Sequence, residues 1–463
     1  MNKKMILYTL GKMLKMEGYL LLLPFLTGVI YQESVSIYFL IVAISVWLLG
    51  TFISYHKPKI HTIYAREGFL IVALSWFCLS LFGAFPLWTS QEIPSYIDAF
   101  FEIVSGFTTT GSSILNDIEA LSHASLFWRS FSHWIGGMGI LVFVVAFLPD
   151  ASGTTLHILK AEMPGPVVGK LVSKVKMTSQ LLYKIYTALT LLEVIFLMAG
   201  GMSFFDSLLN SFATAGTGGF AIKNSSIAFY NNAYFDMVMT VFMILFGINF
   251  NLIYFILIKK ISTVFKSEEL RWYLGIIVCA TMLITLNIMH MYPSLLEAFR
   301  YAVFQVASVI TTTGFITADF ALWPFFSQII LFLLMFVGAM AGSTGGGIKV
   351  SRIVIYIKNA FSEMKRMVHP HSVVSIKFED QHVEPSVINN IHTYLVSYFM
   401  VFCSSLLILA LQNIDFTSAI TAVTTYINNV GPGLGIVGPT GNFSNINVVF
   451  TKFMEKIKQF FMN

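Results

Sequence analysis

Apolar residues along the chain gather into long runs separated by short charged stretches. A spanning helix needs about 20 predominantly apolar residues, and runs in that range fall at 37–54, 68–88, 126–148, 182–201, 234–258, 272–292, 325–341 and 391–411. A further run at 19–30 is short and holds Pro24, so it spans only as part of a helix that begins earlier, near Met5. The pattern predicts an all-α polytopic membrane protein whose residues 1–66 form an N-terminal helix pair.

Between certain of these runs lie semi-apolar segments of about 12 to 18 residues, too short to cross a bilayer and too apolar for plain loops. They occupy 97–111, 205–219, 296–314 and 416–431, and each ends in a cluster of Thr, Asn or Gly. An acidic residue stands near each start (Asp98, Asp206, Glu297 and Asp415), aromatic and aliphatic residues follow at helical spacing, and a glycine closes the segment. Recurrence at a period of about 100 residues marks an internal repeat, which fixes architecture before any other feature. The expected units are parallel helix, pore-loop, helix repeats at 67–165, 166–266, 267–370 and 371–463 in a pseudo-fourfold arrangement. The last of them lacks its second helix.

Composition strengthens the membrane reading, since 56% of the 463 residues are hydrophobic and 11% charged, where a soluble domain carries about twice that charged fraction. The formal charge of +5 does not point to nucleic acid, because most of the Lys and Arg lie between helices. Placing the N-terminus in the cytoplasm puts the basic loops 55–67, 149–181, 259–271 and 349–377 inside, as the positive-inside bias requires. All four glycine-terminated segments then fall outside, where the basic residues are Arg129, Lys223 and Arg300. Entry from one face disfavours an inverted-repeat transporter. Cys78, Cys279 and Cys403 sit in apolar stretches and read as small hydrophobes. No A-x-A-like site follows the basic N-terminus, so an uncleaved first helix is expected, with cleavage near Thr27 as the alternative.

Non-helical backbone at membrane depth is tolerated where it lines a watery path or is buried in protein. A monovalent cation in a narrow passage exchanges its water shell for other oxygens, and main-chain carbonyls from a ring of loops can supply them. Glycine allows the turn, and Thr hydroxyls add acceptors. A short helix ending at each loop would present its partial negative end to the cation. The alternative for each glycine cluster is a helix C-cap or a small-residue packing motif.

The chain resembles the Trk/Ktr/HKT superfamily of cation transporters, and within it the bacterial Trk-type membrane subunit, from about Met1 to Gly441. The resemblance rests on Trp134-Ile-Gly-Gly-Met-Gly-Ile140, Ala161-Glu-Met-Pro-Gly-Pro166, Phe212-Ala-Thr-Ala-Gly-Thr-Gly-Gly-Phe220, Ala341-Gly-Ser-Thr-Gly-Gly-Gly-Ile-Lys349 and Ile427-Asn-Asn-Val-Gly-Pro-Gly-Leu-Gly435. It implies potassium uptake across the bacterial inner membrane, a pore in each subunit of a homodimer, and a cytosolic ring of nucleotide-binding, TrkA-like regulatory subunits. The potassium filter it implies comprises Thr109, Thr110, Gly111, Thr217, Gly218, Gly219, Thr312, Thr313, Gly314, Asn429, Val430 and Gly431, with Gly218 competing with Gly219 in the irregular second loop. Four glycines favour potassium over sodium, and one glycine per repeat implies modest selectivity. A sodium-permeable pore of the same fold and a non-conducting paralogue are the alternatives.

The third repeat also carries Gly342, Gly345, Gly346 and Gly347, followed by Lys349 and Arg352. Each glycine costs a helix about 1 kcal/mol relative to Ala, so a break is expected there, and the resemblance makes it an intramembrane gate. The alternative is a helix-crossing motif with Lys349 and Arg352 at the cytoplasmic surface. His369 and His371 read as solvated, and His123, His133 and His290 as packed near helix ends. No Walker A, G-x-G-x-x-G or H-E-x-x-H pattern occurs, so neither enzymatic chemistry nor a directly bound nucleotide is expected. The segment 442–463, with Lys452, Glu455, Lys456 and Lys458 among apolar residues, is expected to be an amphipathic surface helix or a frameshifted end in place of the family's final span.

Overall fold

The computed structural model describes residues 2–58, 65–139, 175–370, 375–444 and 446. The Ala161–Pro166 motif, His371, the second part of the 126–148 run and the 447–463 tail lie outside these residues. The described residues divide into two compact units, 2–58, 65–139, 175–230, 442–444 and 446 in the first and 231–370 with 375–441 in the second.

In the first unit, α1 (Lys3–Leu20) and α2 (Leu22–Ile30) run on as one 28-residue apolar stretch, so the helix does begin ahead of the short run that contains Pro24. Its partner α3 (Ser36–Ile53) packs on α1 through glycine. A Cβ built on Gly50 would lie 2.7 Å from the Gly11 carbonyl, and one on Gly18 would lie 2.8 Å from the Ala43 carbonyl. Small residues at such crossings let two backbones approach closely. Next come α4 (Ala65–Gly83), α5 (Phe85–Thr89), α6 (Tyr96–Phe107), α7 (His123–Gly137), α8 (Val175–Ala199) and α9 (Phe204–Ala215). The short helices α6 and α9 fall on the first two semi-apolar segments. Trp128 of α7 is fully buried against Phe107 and donates its indole N–H to the Gly83 carbonyl at 2.9 Å.

The second unit contains α10 (Ala233–Phe246), α11 (Phe250–Leu257), α12 (Ile261–Lys266), α13 (Glu268–Ile288), α14 (Leu295–Ile310), α15 (Phe325–Val337), α16 (Val350–Val368), α17 (Pro385–Ala410) and α18 (Phe416–Asn428). Helices α14 and α18 are the third and fourth short ones. The apolar run 234–258 is not one straight span: α10 and α11 meet at a 101° bend. Asn249 causes a fresh helix start there, because its side chain caps the Asn251 N–H at 2.9 Å. The 325–341 run ends early, at Val337, where Gly338 takes a φ of 68°. A two-stranded hairpin, β1 (Lys377–Phe378) with β2 (Gln381–His382), was not legible in the hydropathy pattern. Among the described residues six helices are long and apolar enough to cross a membrane, or seven if the bent pair is one span, and the chain is a multi-pass membrane protein.

Candidate functional site: four glycine loops and a broken helix

Each short helix starts in the same way. Ser95, Ser203 and Ser294 accept from the backbone N–H of Asp98, Asp206 and Glu297 at 3.4, 3.1 and 3.2 Å, while Asp415 accepts from Ser418 at 2.9 Å. The acidic residues noted in the sequence are thus the third helical residue behind a serine cap in three repeats and the cap itself in the fourth. Hydrogen bonds from the Ser418 hydroxyl and backbone hold the Asp415 carboxyl below its ordinary range.

The helices also end alike. Thr110, Gly218, Thr313 and Val430 donate their N–H groups back to Ser105, Ala213, Ser308 and Thr425 at 2.9, 2.9, 2.8 and 3.0 Å. The residue before each donor is left-handed, with φ of 55° at Thr109, 52° at Thr217, 59° at Thr312 and 56° at Asn429. This is a Schellman termination, and the residue after each donor is a glycine of positive φ, 77° at Gly111, 69° at Gly219, 83° at Gly314 and 92° at Gly431. Gly219, not Gly218, is therefore the conformational counterpart of the other three. Left-handed geometry costs a β-branched residue roughly 1–2 kcal/mol, and three of the four loops place Thr there. Strain of that kind persists where the surroundings over-determine the backbone.

In the first unit those surroundings are a buried ion pair. Arg129 Nη2 lies 2.7 Å from Glu102 Oε1, both side chains essentially inaccessible. Glu102 also accepts from the Ser113 hydroxyl at 2.9 Å and the Ile114 N–H at 3.1 Å, just past the first loop. Arg129 reaches the Ala221 carbonyl at 3.4 Å, just past the second, and its guanidinium sits 4.2 Å over the Phe220 ring. His133, near the end of α7, is fully buried with its ring stacked 4.1 Å from that of Phe220. A Cβ on Gly216 would meet the His133 backbone, and one on Gly218 its imidazole. The three basic residues placed on the side of the four loops all have acidic partners: Arg129 with Glu102, Lys223 with Glu119 at 3.2 Å, and Arg300 with Asp236 at 2.7 Å.

In the second unit the loops meet the broken helix. Between α15 and α16 the chain leaves helical geometry, with positive φ at Gly338, Gly342, Gly347 and Lys349. Gly346 donates to Thr312 Oγ1 at 2.7 Å, and a Cβ on Gly345 would lie 2.9 Å from the Thr311 carbonyl. A Cβ on Gly346 would strike the Asn428 carbonyl. The break thus lies against the third and fourth loops and brings Gly345 and Gly346 together with Thr312. It also pairs with the bend between α10 and α11, since Met340 donates to the Gly247 carbonyl at 3.1 Å and Phe250 to the Gly342 carbonyl at 3.1 Å. Lys349 is buried, with its ammonium on the Gly345 carbonyl. Arg352 lies 4.1 Å over the Tyr394 ring. Being buried, Lys349 does not stand at a solvent-exposed surface.

Sequence reasoning missed Glu102 and the serine caps, and it did not foresee the stacking of His133 on Phe220. Only the caps had a local signal, the Ser-x-x-Asp or Ser-x-x-Glu spacing at Ser95, Ser203 and Ser294.

Residues 36–455 match the TrkH family of cation transport proteins. The Trk system potassium uptake protein TrkH of Escherichia coli K12 is 34% identical over 438 residues, which cover 93% of this chain and 90% of that protein. The Trk system potassium uptake protein TrkH of Halomonas elongata is 33% identical over 446 residues, covering 94% of this chain and 91% of that one. The crystal structure of the potassium transporter TrkH from Vibrio parahaemolyticus superposes with a TM-score of 0.84 at 32% identity, over 94% of this chain and 92% of its own. Read with the four like-built loops, these matches establish that the chain belongs to the TrkH family of cation transport proteins, transporters and not enzymes.

Proposed function

We propose that this chain takes up potassium across the bacterial inner membrane, with the four loops arranged pseudo-fourfold about one path and their carbonyls replacing the ion's water shell. The observation that carries this reading is the shared backbone trace at Thr109–Gly111, Thr217–Gly219, Thr312–Gly314 and Asn429–Gly431, which holds although the residues differ. Side-chain identity varies and conformation does not, as expected where the main chain is the ligand. The names of the relatives support potassium as the ion. Each short helix also points its C-terminal, partially negative end at its loop.

The glycine-rich break acts in this reading as the gate, held against the filter by the Gly346 to Thr312 bond. The N-terminus lies in the cytoplasm, the subunit pairs as a homodimer, and a cytosolic nucleotide-binding subunit drives the gate, nucleotide binding being left to that partner. The test is complementation of a strain lacking potassium uptake at low external potassium, with rubidium and sodium uptake measured in parallel. Growth with rubidium uptake supports the reading. A chain that reaches the membrane without restoring growth refutes it, and uptake that favours sodium assigns a sodium-permeable pore. Deleting Gly345 to Gly347 should raise ungated flux, and an unchanged or lower flux in protein that still reaches the membrane removes the gate.

A further inference from the structure

We infer that Glu269 is the latch of the glycine-rich break and that the hairpin Lys377–His382 sets it, an inference that rests on the gate reading above. Glu269 stands in the first turn of α13 and is 5% exposed. One of its oxygens, Oε1, accepts from the N–H of Ala341 at 2.8 Å and from the N–H of Ser351 at 3.0 Å. Ala341 belongs to the break and Ser351 to the first turn of α16, so a single carboxylate oxygen ties the two sides of the interruption together. Both bonds are charge-assisted. Lys349, between them in sequence, is within electrostatic reach of the same carboxylate and spends its ammonium on the Gly345 carbonyl. A break with many glycines has little side-chain packing of its own to fix its shape. The carboxylate provides that fixing from a neighbouring helix.

The backbone of the same residue is held from the other direction. Glu379 Oε1 accepts from the Glu269 N–H at 3.0 Å and from the Ser267 hydroxyl at 2.8 Å. Glu379 and Asp380 form the turn between β1 and β2 with φ of 50° and 60°, a geometry that favours Asn and Gly. An acidic pair tolerates it here because the turn delivers Glu379 to the start of α13. Lys358 of α16 fastens the arrangement, donating to the Lys377 carbonyl at 2.7 Å and pairing with Glu268 at 2.5 Å. Hairpin, helix start, latch and break therefore form one continuous series of polar contacts. Lifting the hairpin withdraws Glu379 from the Glu269 backbone and shifts the carboxylate that closes the break. A partner that grips the hairpin acquires leverage on the gate with no contact to it.

The test measures rubidium flux through the full chain in liposomes. Glu269→Ala should raise flux by about fivefold or more, and Glu269→Gln, which keeps a carbonyl acceptor, should raise it less. Glu379→Ala should raise flux too, and the double variant should match Glu269→Ala alone because both act in series. An unchanged flux in Glu269→Ala, beside a raised flux on deleting Gly345 to Gly347, overturns the latch and leaves the gate standing. Additive effects of the two substitutions overturn the role of the hairpin. Hydrogen exchange covers the case of a poorly folded Glu269→Ala: in Glu379→Ala the amides of Ala341 and Ser351 should exchange faster, and unchanged exchange at both refutes the series.

Discussion

The N–H of Gly346 donates to the hydroxyl of Thr312 at 2.7 Å, which joins the glycine-rich break to the residue that carries the left-handed turn of the third loop. The break and the third loop are consequently in direct contact within one unit. Removing that hydroxyl without changing shape isolates the contact. Thr312→Val should lose the bond, worth about 1 kcal/mol net, and raise basal rubidium flux, whereas Thr312→Ser should behave as the unaltered chain. Equal flux in both variants would show that the bond does not restrain the break.

Gly314 faces two obstacles to any side chain. Its φ is 83°, and a Cβ would collide with the Val430 carbonyl of the neighbouring loop. Gly314→Ala should therefore cost at least about 1–2 kcal/mol from backbone strain alone and displace the Val430 carbonyl. Rubidium uptake should fall by about tenfold or more, which corresponds to roughly 1.4 kcal/mol in barrier height. Uptake within twofold of the parent, at equal abundance in the membrane, would place the Gly314 backbone outside the conduction path.

The pair Glu102 and Arg129 is buried without access to water. Losing one partner strands the other charge, at about 3–5 kcal/mol, so Arg129→Met should lower the melting temperature of the detergent-solubilised protein sharply. The combined Glu102→Gln, Arg129→Met variant should recover part of the loss, as it leaves no bare charge. A double variant less stable than Arg129→Met would show that the Glu102 bonds to Ser113 and Ile114 outweigh the ion pair.

Asp415 replaces the serine cap of the other three short helices. Its carboxyl is held below the ordinary range by hydrogen bonds that the charged form accepts, so its contribution is present above the unfolded value of about 3.9 and is lost as pH falls through the lower folded value. Asp415→Ser should flatten the acid limb of a plot of melting temperature against pH. An identical acid limb in both proteins would remove Asp415 from that dependence.

Much of this architecture can be read from residue order, and the limits have identifiable causes. The four segments ending in Gly111, Gly219, Gly314 and Gly431 were recognisable because helix length, an acidic start and a terminal glycine are local properties. The serine caps lay in plain view at Ser95, Ser203 and Ser294. Hydropathy could not show that the 234–258 run bends, because Gly247 and Asn249 hardly alter its apolar average. Nor could it pair Glu102 with Arg129, or Glu269 with Ala341 and Ser351, since such partners are chosen by folding across 27, 72 and 82 positions.

The ion pair of the first unit and the glycine break of the second give the two halves different mechanical characters. The first braces its two loops through a buried Arg129–Glu102 pair, while the second sets its own against glycine-rich main chain held by a few amide hydrogen bonds. On the gate reading proposed above, the four like-built segments need not yield evenly under load: compliance is concentrated in the second unit, where a regulator would have to act.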